Sequence, residues 1–219
     1  MHSSIKNYED IIKLIKQKIE DQNSNKFPNI IAVTKTFALD DILPLIEYGH
    51  LDYGENKVQE AIDKWSEIKI RKPGIKLHLI GKLQTNKVKF AIKIFDFIHS
   101  VDSIKLAKKI SDEQIKQNKK VKIFIQVNIG SEQQKSGVDI NKTGDLLNFC
   151  KELKLDVIGL MCIPPVNQKS NKYFEKMNLL NNNFNLQQIS MGMSSDYLEA
   201  VANDATYLRI GSSIFGKRY

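Results

Sequence analysis

The feature that most constrains this chain is an alternation. A short run rich in Val, Ile and Leu is followed by a stretch with apolar residues at helical spacing, and the pair repeats about eight times. The runs fall at 30–35, 51–56, 76–81, 97–102, 121–128, 156–163, 188–193 and 206–211. Near-continuous apolar runs of this length read as strands buried on both faces. Helices are predicted between them over 39–48, 57–68, 86–94, 103–118, 143–151, 171–183 and 195–202. Repeated βα units imply a parallel sheet. Eight of them in 219 residues fit a compact barrel. One amphipathic helix over 4–23 comes first, with Ile5, Tyr8, Ile11, Ile12, Ile15 and Ile19 on one face and Ser4 as its expected N-cap. The expected fold class is therefore α/β: a single-domain (β/α)8 TIM barrel over 1–219 with an extra N-terminal helix. The rival is a doubly wound open sheet, which favours a glycine-rich turn after its first strand. Here that turn reads Thr34-Lys35-Thr36-Phe37, and no Walker loop occurs.

Punctuation supports these boundaries. Gly49 stands where a helix C-cap glycine belongs. Ser103 is an expected N-cap, as is Ser194 or Ser195 for the helix over 195–202. Pro164-Pro165 stops the sixth strand.

Composition narrows the function classes. No run approaches 18 apolar residues, so no transmembrane helix is expected. The N-terminus leads into a charged segment without a signal-peptide core, and a cytoplasmic protein is expected. Cys150 and Cys162 read as free thiols rather than a metal pair or a disulfide. The formal net charge of +8 comes almost wholly from lysines spread over the chain. They form no clustered, aromatic-bearing stripe of the kind a nucleic-acid face uses. Neither nucleic acid nor membrane is expected as a partner. Arginine is scarce (Arg71, Arg209 and Arg218), which makes Arg209 inside an apolar run informative.

Chemistry in such barrels gathers at the C-terminal strand ends. In the order of the strands these carry Lys35, Glu55-Asn56, Ile80-Gly81, Asp102, Asn128, Cys162, Met193-Ser194 and Arg209 to Ser212. A lysine ending a buried strand must be paired, must snorkel out, or must sit with a lowered pKa. In the last case it is a nucleophile toward carbonyls. The last two loops, Ser190-Met191-Gly192-Met193-Ser194-Ser195 and Arg209-Ile210-Gly211-Ser212-Ser213, offer hydroxyls and backbone N–H groups where these barrels hold phosphate. Taken alone, they also read as tight Ser/Gly turns with a helix cap. A lysine and a phosphate cradle at one mouth point to a phosphorylated carbonyl compound, with pyridoxal 5'-phosphate (PLP) the leading candidate. Arg209 would then face the pocket beside the phosphate, or else pair with a carboxylate at its strand end.

These motifs resemble the pyridoxal phosphate homeostasis protein family, whose barrel is similar to the N-terminal domain of alanine racemase. The carrying residues are Ala32-Val33-Thr34-Lys35, the run from Gly54 to Glu60 and the run from Leu77 to Lys87. They continue through Gln126-Val127-Asn128, Glu132, Lys135, Gly137 and Gly159-Leu160-Met161 to the two loops above. The resemblance implies that Lys35 carries the cofactor as an aldimine. It also implies that Ser194, Gly211 and Ser212 hold the phosphate, that Arg209 faces the pyridine nitrogen, and that Asn56 and Met193 line the pocket. His78 is read as structural. The implied function is buffering and carriage of PLP for vitamin B6 homeostasis without robust turnover, by a monomer, with PLP-dependent apo-enzymes as recipients. No catalytic residue and no metal ligand are assigned. The second domain that supplies alanine racemase with its acid/base tyrosine is not expected here. Lys82, Lys87 and Lys135 are expected near the mouth as transient acceptors. The alternatives are a PLP-dependent racemase or decarboxylase of the same barrel type, a Schiff-base aldolase for a sugar phosphate, and a basic nucleic-acid-binding module.

Overall fold

In a computed structural model, the eight runs become eight parallel strands, each paired with the next in chain order and the last paired with the first. Residues 2–132, 134, 136–166 and 168–216 are described. The strands are β1 (Asn29–Val33), β2 (Asp52–Glu55), β3 (Lys76–Leu79), β4 (Phe97–Val101), β5 (Lys122–Val127), β6 (Asp156–Cys162), β7 (Gln188–Met193) and β8 (Tyr207–Ile210). Among the described residues, α1 (Ser3–Asp21) precedes the barrel. The outer ring is α2 (Leu39–Glu47), α3 (Val58–Arg71), α4 (Val88–Ile94), α5 (Ile104–Gln117), α6 (Thr143–Glu152), α7 (Asn171–Asn183) and α8 (Tyr197–Ala202). A short α9 (Ser212–Phe215) follows β8. The closed (β/α)8 barrel and its leading helix are thus as expected.

Alternation along each strand divides the apolar residues into two cores. Outward residues such as Ile30, Ala32, Tyr53, Leu77, Leu79 and Ile98 pack under the helices with Trp65, Ile42, Leu106 and Phe174. Inward residues Ile31, Phe97, Phe124, Met161 and Tyr207 form a separate cluster that fills the barrel interior. Tyr207 meets Phe124 edge-on at 5.3 Å between ring centroids. The barrel is therefore plugged by side chains, as expected for eight strands.

Several boundaries move. β1 ends at Val33, so Lys35 lies in the turn beyond the strand rather than as its last residue. Ser4 is inside α1. The cap is His2, whose imidazole accepts the Ser4 N–H at 3.3 Å. Ser103 does cap α5, accepting the Leu106 N–H. The residue before α8 is Asp196 rather than Ser194 or Ser195, because the loop makes one more turn before the helix begins. Gly49 adopts φ +100° just past α2, where the His50 N–H reaches Leu45 and the Gly49 N–H reaches Ile46. This left-handed stop suits glycine. Both cysteines are buried free thiols.

Candidate functional site at the C-terminal end of the barrel

At the C-terminal strand ends lies a cavity of about 350 Å³. Lys35, Asn56, Met193, Ser194, Arg209, Gly211 and Ser212 all line it, together with Val33, Ile80, Ile163 and Ser195. Among the described residues, no carboxylate lines it and two cationic side chains do. Of the other strand-end residues, Asp102 and Asn128 are not among the lining residues. The Asn128 amide instead bonds the Glu132 carbonyl. Glu55 is also turned away, because neighbouring residues on a strand face opposite sides. Cys162 contributes its carbonyl rather than its thiol, and burial pushes that thiol up to about 12.

The turn that carries Lys35 is held from beneath by a buried polar cluster. The Thr34 hydroxyl donates to Glu55 Oε1 at 2.7 Å, and the Trp65 indole N–H donates to the same oxygen at 3.0 Å. Lys64 on α3 donates to Glu55 Oε1, to the Thr34 carbonyl and to Glu60 Oε1. Thr36 sits at φ +68°, where a β-branched residue is strained by about 1–3 kcal/mol. Its N–H donates to Glu60 Oε1 at 2.8 Å. Burial would raise the Glu60 carboxyl, but the Thr36 N–H and Lys64 hold it below its usual range. The sequence reading passed over this cluster. The signal available was a lysine and a tryptophan side by side on the helix after β2, next to a strand-end glutamate.

Asn56 is placed by close approach. A Cβ on Gly81 would come within 2.3 Å of the Asn56 carbonyl oxygen, so only glycine lets the β3 loop lie against the Asn56 backbone. The recess beside it, of about 400 Å³, is lined by Asn56, Lys57, Lys82 and Lys87, so two of the expected mouth lysines adjoin the cavity. Lys135 lies outside the described residues.

The last two loops build the donor set. The Ser194 hydroxyl oxygen accepts the N–H groups of Gly211 at 3.2 Å and Ser213 at 3.3 Å, so it caps α9 from the neighbouring loop. Arg209 is 4% exposed. Its Nη1 donates to Ser190 Oγ at 2.6 Å and its Nη2 to the Cys162 carbonyl at 2.9 Å. It therefore makes no ion pair within the described residues, contrary to one of its two expected roles. Hydroxyls, backbone N–H groups and two cations, with no acid among the described lining residues, suit a phosphorylated aldehyde.

Three buried histidines, His50, His78 and His99, are held below their ordinary pKa, chiefly by desolvation, with His99 displaced furthest. The unfolded chain therefore takes up protons near pH 6.5 that the folded chain refuses. Stability present above that pH is lost as pH falls through it toward the folded values. Each such histidine contributes about 1.4 kcal/mol per pH unit in that window. Urea unfolding between pH 7.5 and 5 is expected to show a steadily falling free energy, with more than one proton taken up on unfolding.

Comparison with known proteins first defines the class. Residues 8–219 match the family described as alanine racemase, N-terminal domain. A pyridoxal phosphate homeostasis protein of Aquifex aeolicus is 36% identical over 199 residues, covering 86% of each chain. That of Escherichia coli K12 is 32% identical over 201 residues, covering 86% of this chain and 85% of its own. The structure of PipY from Synechococcus elongatus PCC7942 with PLP bound superposes with a TM-score of 0.80 at 32% identity. It covers 92% of this chain and 100% of that one. The chain belongs to the pyridoxal phosphate homeostasis protein family.

Proposed function

We propose that this protein binds PLP and buffers and carries it for vitamin B6 homeostasis, without robust turnover. The observation that carries the reading is the meeting of one lysine amine, one buried guanidinium and one cradle of hydroxyl and N–H donors around a single cavity, with no carboxylate in its lining among the described residues. When bound, the cofactor supplies an aldehyde reactive toward amines and a pyridine ring whose electron demand depends on protonation. Lys35 would hold the aldehyde end. Ser194, Gly211 and Ser212 would hold the phosphate, and Asn56 and Met193 would flank the ring. Arg209 would meet the ring nitrogen. A guanidinium has no proton to give up at working pH, so it leaves that nitrogen weakly activated. Among the described residues, the lining includes no carboxylate, histidine or tyrosine to move a proton at the far face. Without such a group, roughly 10²–10⁴-fold of rate is missing. The protein acts as a monomer in the cytoplasm and hands PLP to PLP-dependent apo-enzymes. No described helix is long and apolar enough to cross a membrane.

The test is covalent. Protein loaded with PLP, reduced with borohydride and digested is expected to carry its label on Lys35 at substoichiometric load. It is also expected to restore the activity of an apo-enzyme while racemising and decarboxylating no amino acid itself. A label confined to Lys82 or Lys87 overturns the assignment of Lys35, and steady amino-acid turnover overturns the carrier reading.

A further inference from the structure

Beneath the cavity, four polar side chains cross the barrel interior among its aromatic residues. His78 stacks on Phe97 at 4.1 Å between centroids and His99 on Phe124 at 4.3 Å. His78, His99 and Ser190 are fully buried. They connect Arg209 at the open end to Asp52, the first residue of β2, at the opposite end. The bonds are Arg209 to Ser190 at 2.6 Å, Ser190 to His99 Nδ1 at 2.9 Å, His99 Nε2 to His78 Nδ1 at 3.0 Å and His78 Nε2 to Asp52 Oδ1 at 2.9 Å.

The direction follows from the Asp52 end. A carboxylate can only accept, so His78 carries a proton on Nε2 and gives it to Asp52. Full burial disfavours the charged imidazole at both His78 and His99. With one proton on each ring, His78 Nδ1 accepts from His99 Nε2–H, and His99 Nδ1 accepts the Ser190 hydroxyl hydrogen. Ser190 Oγ in turn accepts from Arg209, which can only donate. Both histidines are then the Nε2–H tautomer. Asp52 is also faced by His50 and by Lys76, while Asp96 acts on His78 and Asp196 on Arg209.

We propose that Asp52, His78, His99 and Ser190 are positioning residues: a one-way hydrogen-bond chain that aims the Arg209 guanidinium into the pocket and lets a carboxylate at the closed end of the barrel set cofactor affinity at the open end. A buried cation needs a counter-charge and filled hydrogen-bond positions. Here oriented neutral groups lie between Arg209 and the Asp52 carboxylate, and none of the described residues puts a carboxylate in the pocket lining. Aligned bonds of this kind polarise one another, and a change at one end is felt along the chain. The functional half of this proposal rests on the PLP reading above, whereas the tautomers do not.

The first measurement uses protein labelled with 15N histidine and no added cofactor. His78 and His99 are expected as Nε2–H tautomers that do not titrate from about pH 6 to 9. Asp52→Asn keeps an acceptor for His78 and removes only charge at a partly exposed site, so folding is preserved. It is expected to move the His99 signals as well as those of His78, although Asp52 touches only His78. Ser190→Ala frees His99 Nδ1 and is expected to weaken PLP about tenfold, with Asp52→Asn weakening it about threefold. Ser190→Thr, which keeps the hydroxyl, restores binding. An Nδ1–H tautomer at either histidine, a response confined to His78, or unchanged PLP affinity in Ser190→Ala overturns the proposal. Wild-type protein with the expected histidine signals that takes up no PLP overturns the cofactor reading instead, and with it the functional half of this proposal.

Discussion

Lys35→Ala protein is expected to stay colourless with PLP under conditions where the wild type turns yellow. The residual affinity should fall roughly 100-fold, or about 2.7 kcal/mol. Among the described residues, Lys35 and Arg209 are the cations that line the cavity, and a guanidinium does not act as an amine nucleophile. Ser194, Gly211 and Ser212, proposed above to hold the phosphate, remain in the variant, so weak non-covalent binding should persist and be measurable by competition with inorganic phosphate. The measurement is a visible absorption titration of both proteins over the same PLP range. A variant as yellow as the wild type places the attachment on another lysine. A wild type that stays colourless removes PLP altogether and brings the sugar-phosphate aldolase alternative forward.

The second large effect is on stability. Lys64→Met removes the cation from a site where Glu55 is fully buried, while two neutral donors, Thr34 and Trp65, remain on its Oε1. Stripping one partner from a buried ion pair costs about 3–5 kcal/mol, because the other charge is left without compensation. Global stability by urea unfolding is expected to drop by that amount. The double variant Lys64→Met/Glu55→Gln should recover part of it, since the uncompensated charge is then gone. The same substitution removes one of the groups holding the Thr34 carbonyl and Glu60, which together shape the turn under Lys35. PLP affinity should therefore fall as well, although Lys64 does not line the cavity. Loss of stability with unchanged PLP affinity would separate this scaffold from the site.

The fold was legible because period and punctuation act locally. A run such as Val121–Asn128 announces a strand without reference to any partner. What lines a barrel mouth was half legible. Lys35 and Arg209 are unusual where they stand, and the Ser/Gly loops are read by type. The errors share a cause. Glu55 ends β2 and Asn56 follows it, and only parity decides which faces the mouth; in the structure Asn56 does and Glu55 faces α3. The pairing of His78 with His99 spans 21 residues, and that of His99 with Ser190 spans 91. Such contacts depend on the register of strands around a closed ring, which no local pattern contains. Ser194 or Ser195 was expected to cap α8, and neither does; Ser194 instead accepts N–H groups at the start of α9. It closes α9, which follows it in space, rather than α8, which follows it in sequence.

The filled barrel interior has a consequence for traffic. With Phe97, Phe124, Met161 and Tyr207 blocking the axis, anything held against Lys35 enters and leaves by one door. On the carrier reading proposed above, a protein with one door would not be loaded from solution while a recipient covered the opening. Loading and delivery would then alternate, and delivery would slow as free PLP rises, since both use the same threshold.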